Sequence, residues 1–163
     1  NAWPEKRQRA WRHADACMAL LRTEVMQAYP FPLPDGLDFV PEAVVWRRML
    51  LRYRQWYTDI PCYIYHRGED AGSFTARKPD PRPAYFYYCY FFNEIYPQEK
   101  GVSLREYGTA AVSLDYAALR CGRGLARVRQ DVRARGAKAL CALGWPAAAL
   151  LFRLRKEEKQ PDV

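Results

Sequence analysis

The 163-residue chain is poor in the residues that would settle its chemistry quickly. Its five cysteines (Cys17, Cys62, Cys89, Cys121, Cys141) are odd in number, widely spaced and without a Cys-x-x-Cys pair. That argues against a zinc ribbon or a disulfide framework and fits reduced thiols in a cytoplasmic protein. There are two histidines, His13 and His66, and no Asp-x-Asp. The longest apolar run, Ala139 to Phe152, has 14 residues and includes Gly144 and Pro146, too short to span a bilayer comfortably. No signal-peptide pattern, internal repeat or low-complexity tract is visible. An Asn at position 1 and the abrupt charged opening NAWPEKRQRAWRH read as a fragment or a processed chain.

Apolar residues make up 50% of the chain, enough for one domain with a real core rather than a disordered segment. Aromatics reach 15% and cluster between Trp46 and Tyr107. The net charge is +8, which favours acidic partners: nucleic acid, sugar nucleotides or an anionic membrane surface. The charge is uneven, with seven basic residues and the single acid Asp131 between Arg120 and Lys138.

Met18, Leu21, Val25 and Met26 recur at helical spacing, and the stretch can begin as a strand over Cys17 to Leu21 before a helix opening at Thr23. Pro30, Pro32, Pro34 and Gly36 then impose an exposed loop. A helix is predicted from Pro41, with Glu42 adding negative charge at the positive end of its dipole and Val45, Met49 and Tyr53 on one face. Residues 56–65 read as a Tyr- and Ile-rich strand, with Pro61 marking an edge, and 66–83 as loop. The aromatic run 84–97 has strand propensity but does not alternate, so a helix stays open. Residues 103–135 look helical with breaks at Gly108, Gly122 and Gly124, and 137–155 form an apolar helix interrupted by Pro146.

In the order Phe39-Val40-Pro41-Glu42, Trp46, Arg48, Tyr65-His66-Arg67, Ser73 and Thr75, the chain resembles family 2 glycosyltransferases. Leu21-Arg22-Thr23-Glu24-Val25 followed by Tyr29-Pro30-Phe31-Pro32 is similar to that family's approach to its acidic motif. The resemblance implies an α/β protein. Residues 1–99 would be the C-terminal, acceptor-side part of a GT-A (nucleotide-diphospho-sugar transferase) fold, and 100–163 a basic, mostly α-helical extension. It implies transfer of a sugar from a nucleotide-sugar donor to a glycan or lipid-linked acceptor, in cell envelope polysaccharide biosynthesis, in the cytoplasm at the inner face of the cell membrane. It also implies a divalent metal, Mg or Mn, in the full-length enzyme and a donor-binding half preceding Asn1, so that the chain alone is inactive. Many members carry Glu-Asp where this chain has Pro41-Glu42, leaving one carboxylate.

On that resemblance Glu42 is the general base, against the plainer role of a first-turn acid. Phe39 and Trp46 offer a face for the acceptor sugar, or Trp46 packs in the core. Arg22, Arg48 and His66 are donor-phosphate contacts, with His66 also the one candidate metal ligand; the alternatives are a loop anchor, a solvated arginine and a surface histidine. Ser73 and Thr75 donate to phosphate oxygens or form turns. The Arg-rich 120–138 stretch, with the helix after it, either rests on anionic headgroups or packs with its basic face in water. The rival readings are a basic nucleic-acid-binding module with the Tyr/Phe cluster as stacking platform, which the crowding of those rings disfavours, and a membrane-surface module without catalysis.

Overall fold

The computed structural model describes residues 21–54 and 80–157, and every regular element among them is helical. Six α-helices follow in order: α1 (Thr23–Ala28), α2 (Ala43–Leu50), α3 (Arg82–Tyr90), α4 (Leu104–Arg120), α5 (Leu125–Asp131) and α6 (Arg135–Glu157). A π-helical turn, Phe91–Ile95, prolongs α3.

This corrects the expectation of an α/β, GT-A-type fold, because there is no strand among the described residues. The strand expected over 56–65 and the loop after it lie outside the described residues to position 79, as do residues 17–20 of the first one. The aromatic run 84–97 is helix and π-turn. Asp80 caps its start, its Oδ1 accepting from the Arg82 backbone N–H at 2.9 Å, and Pro83 sits in the first turn, where a missing donor costs nothing. The rings then pack on one another around the helix. Phe91 lies 4.3 Å from Tyr87 and 5.6 Å from Tyr96, and Tyr96 lies 4.7 Å from Tyr107. Burial on several sides removes the need for alternation.

The longest pairing is α4 against α6, built on small residues. Ala110, Ala111, Leu114, Ala117 and Ala118 of α4 share one buried cluster with Ala137 and Cys141 of α6, and Ala148 of α6 is buried as well. Gly144 lets the helices close: a Cβ there would stand 3.1 Å from Val112 Cγ2 and 3.2 Å from Asp115 Oδ2. Ser103 starts α4, its Oγ accepting from the Glu106 N–H at 3.1 Å. Gly122 ends it at φ +69°, with the Arg123 N–H bonded to the Ala118 carbonyl and the Gly122 N–H to the Leu119 carbonyl. Gly108, expected as a break, lies inside α4.

Polar ties fix the remaining parts. Asn93, in the π-turn, donates to the Asp131 carbonyl and accepts from the Arg133 N–H, both at 2.8 Å, so it clasps the α5–α6 connection. Asp131 gathers Tyr85, Arg127 and Arg123. Arg47 of α2 reaches Glu99 at 2.6 Å and Glu106 at 3.1 Å, joining α2 to the bundle. The α2 helix stops at Leu50, one turn earlier than its apolar spacing predicts. Tyr53 therefore leaves the buried face and meets Tyr29 edge-on at 6.0 Å.

Candidate functional site

The approach to α2 is built from the Pro-rich loop. Prolines keep residues 30–34 out of regular structure, and Gly36, at φ +75°, closes a turn that no side-chain-bearing residue adopts readily. Two arginines pin this loop. Arg48 donates to the Pro30 carbonyl at 3.0 Å and lies over the Tyr29 ring, while Arg82 donates to the Gly36 carbonyl at 3.0 Å. The loop thus delivers Phe39, 40% exposed, to the start of α2.

Glu42 is the residue before α2, and its carbonyl accepts the first helical bonds, from Val45 and Trp46. Its side chain is exposed, caps nothing and carries no ion pair or hydrogen bond among the described residues. Val44 and Val45 behind it are fully buried, so its backbone is fixed while its carboxylate is open to solvent. Trp46 is half-buried one turn on. Arg22 is exposed and precedes α1, where its carbonyl accepts from the Val25 and Met26 N–H groups. His66, Ser73 and Thr75 lie outside the described residues. No group of three His, Cys, Asp or Glu side chains among the described residues could hold Mg or Mn, so the residues described do not form a site for the metal that the resemblance implies.

A second surface lies on α6. One face packs on α4. On the other, Ala139, Leu143, Pro146, Leu150 and Leu154 recur within one arc and are exposed, Leu143 by 78% and Leu150 by 59%. Arg135 and Arg153 bracket this stripe at its two ends, both exposed. By length and composition Arg135–Arg155 is apolar enough to cross a membrane, although its α4 face is occupied by protein. Of the seven basic residues of 120–138, the six other than Arg120 divide into two sets. Arg123, Arg127 and Arg133 are engaged with Asp131 or Glu94, whereas Arg129, Arg135 and Lys138 form no ion pair among the described residues.

Asp115 is the residue that sequence reasoning passed over. It is fully buried between α4 and α6, and among the described residues neither carboxylate oxygen has a well-formed hydrogen bond, the Cys141 thiol being the one weak donor that faces it. Burial pushes its carboxyl up to about 7, opposed only in part by the Cys141 thiol across the interface. The signal was present in the sequence: Asp115 falls on the same stripe as Ala111, Leu114 and Ala118. The Cys89, Cys121 and Cys141 thiols are free, and burial raises all three above the usual thiol range.

Comparison with protein-family models, curated proteins and solved structures finds no match for this chain.

Proposed function

We propose that this chain is the acceptor-side part of a sugar-transfer enzyme in which Glu42 is the base. The observation that carries the reading is the open carboxylate of Glu42, unpaired among the described residues, at the rigid start of α2 and at the position the family 2 resemblance assigns to the base. In the reaction an acceptor hydroxyl oxygen attacks the anomeric carbon of a nucleotide sugar. The new C–O bond forms as the bond to the diphosphate breaks, the electron pair leaves with the nucleoside diphosphate, and the hydroxyl proton passes to the Glu42 carboxylate. Phe39 and Trp46 supply apolar surface for the acceptor ring. Arg48 holds the approach loop through Pro30 and Tyr29 and so positions Phe39 rather than meeting the substrate.

The test is Glu42→Gln in the protein as it is encoded, with transfer measured from a labelled nucleotide sugar and donor binding measured separately. Transfer falls by about 10²–10⁴-fold, the usual worth of a positioned base, while donor affinity stays within about twofold. Equal loss of both would assign Glu42 a structural role.

A second, compatible reading rests on the outer face of α6: the chain docks on an anionic membrane surface. The stripe of Leu143, Leu150 and Leu154 supplies the apolar contact, and Arg135, Arg153, Arg129 and Lys138 supply the charge. Co-sedimentation with vesicles containing phosphatidylglycerol is expected, with release at high salt and at least about tenfold weaker binding for the double variant Leu143→Ser, Leu150→Ser. Equal binding to neutral vesicles would remove this reading.

A further inference from the structure

A cleft of about 520 Å³, in the size range of small-ligand sites, lies between the end of α3 and the first half of α4. Tyr88 lines it from α3, and Tyr96, just past the π-helical turn, lines it as well. Tyr88 is half-buried and meets the Tyr87 ring edge-on at 4.9 Å, so its own ring is held in place. Ser103, Glu106, Thr109 and Ser113 line the cleft from α4, at intervals of three and four that keep them on one face of the helix. Hydrogen bonds within this wall set how each hydroxyl can act. The Ser103 Oγ accepts from the Glu106 N–H at 3.1 Å, which leaves its O–H to donate. The Thr109 Oγ1 gives its proton to the Arg105 carbonyl at 2.9 Å, which leaves its lone pairs to accept. The Glu106 carboxylate between them is fixed by Arg47 of α2 at 3.1 Å.

We propose that this cleft holds a neutral pyranose oligosaccharide, at a subsite separate from Glu42. Such a ligand has apolar C–H faces and a rim of hydroxyls, each of which both donates and accepts. The Tyr88 ring supplies surface for the faces. The rim meets a donor at Ser103, an acceptor at Thr109 and a further hydroxyl at Ser113, spaced along one helix face as sugar hydroxyls are spaced along a chain. Arg105 and Glu106 put both signs of charge on the wall, which suits hydroxyls of both senses better than an ion of either sign. Phe39, Glu42 and Trp46 do not line the cleft, so the subsite goes beyond the sugar-transfer reading and stands without it.

The experiment titrates the full chain with cellotetraose, maltotetraose and N-acetylchitotetraose by isothermal calorimetry. Sorbitol serves as a ligand with the hydroxyls but no ring face. Expected is one site for at least one tetrasaccharide, at a Kd of about 1 mM or tighter, with sorbitol at least about tenfold weaker. Thr109→Val removes the acceptor and should weaken binding about fivefold. Tyr88→Leu removes the ring and should weaken it about tenfold. Thr109→Trp, at an exposed position, fills the cleft and should abolish binding with helix content unchanged by circular dichroism; it carries the test if Tyr88→Leu fails to fold. No binding of any tetrasaccharide at about 10 mM, sorbitol binding as tightly, or affinity indifferent to Thr109→Trp would overturn the proposal. Glu42→Gln should leave tetrasaccharide affinity within about twofold, and its loss there would overturn the separation of the two sites. Unchanged transfer in Glu42→Gln with tetrasaccharide binding intact would count against the transfer reading and leave the cleft standing.

Discussion

Asp115 is a single buried side chain that ties the stability of the bundle to pH. An isolated carboxylate in an apolar interface is far costlier ionised than neutral. With its carboxyl raised to about 7 from an ordinary 3.8, the fold holds a proton that the unfolded chain has released. The unfolded state binds fewer protons in that window, so stability falls as pH rises from about 4 to about 7 and then levels off. The groups facing it from α6 are the Cys141 thiol and the Gly144 backbone, neither of which carries a compensating positive charge. Asp115→Asn keeps the shape and removes the ionisation. It should flatten the pH dependence and raise stability at pH 8 by a few kcal/mol, the order of a three-unit shift. Urea midpoints at pH 5 and pH 8 measure this; an Asn variant with the parent's slope would show that Asp115 reaches water or a partner. Glu42 is the opposite case, a carboxylate kept in solvent by a rigid backbone, and the exposed position follows from the Pro-rich approach that precedes it.

Elements with local signals are the ones legible in the sequence. The Ser103–Glu106 start and the Gly122 stop of α4 are short-range devices, and the helix runs unbroken between them, through the break expected at Gly108. Gly108 misled because a glycine inside a helix weakens it without ending it when packing favours continuation, as α4 is favoured by α6. Gly122 ends the helix because two backbone bonds are closed by its positive φ. Gly122→Ala should cost about 1 kcal/mol, all of it backbone strain, since an added Cβ there meets nothing within 4 Å. Thermal unfolding reads the loss. An unchanged midpoint would mean that the last turn of α4 contributes nothing to the cooperative unit. The early end of α2 was not legible, because its apolar spacing continues through Tyr53. Tyr53 instead pairs with Tyr29, and Arg48 ties the same stretch to Pro30.

At the scale of the molecule, the bundle is held by contacts that no local window contains. Arg47 reads as one more arginine on a solvated helix face, yet it joins α2 to Glu99 and Glu106, more than fifty positions away. Asn93 does the same for α3 and the α5–α6 connection. The expected sheet drew on the aromatic run 84–97 and on residues 56–65. The first became helix because its rings are buried on several sides by one another and by Tyr107, a tertiary effect that strand propensity does not register. Of the candidate site, Glu42 and its loop were legible because the proline, acid and helix signals are contiguous. The ties that pin that loop, Arg48 to Pro30 and Arg82 to Gly36, were not, since their partners lie 18 and 46 positions away.

Pro146 leaves one backbone acceptor of α6 without its helical donor. A proline in mid-helix cannot donate to the carbonyl four residues earlier, so the Ala142 carbonyl keeps an open lone pair. Both residues are exposed, on the leucine-bearing side of the helix. Hydrocarbon offers that oxygen no donor, whereas water and headgroup hydroxyls do. On the membrane-surface reading, sinking this carbonyl into hydrocarbon carries a cost that keeping it among headgroups does not, so that reading places Pro146 beside the headgroups.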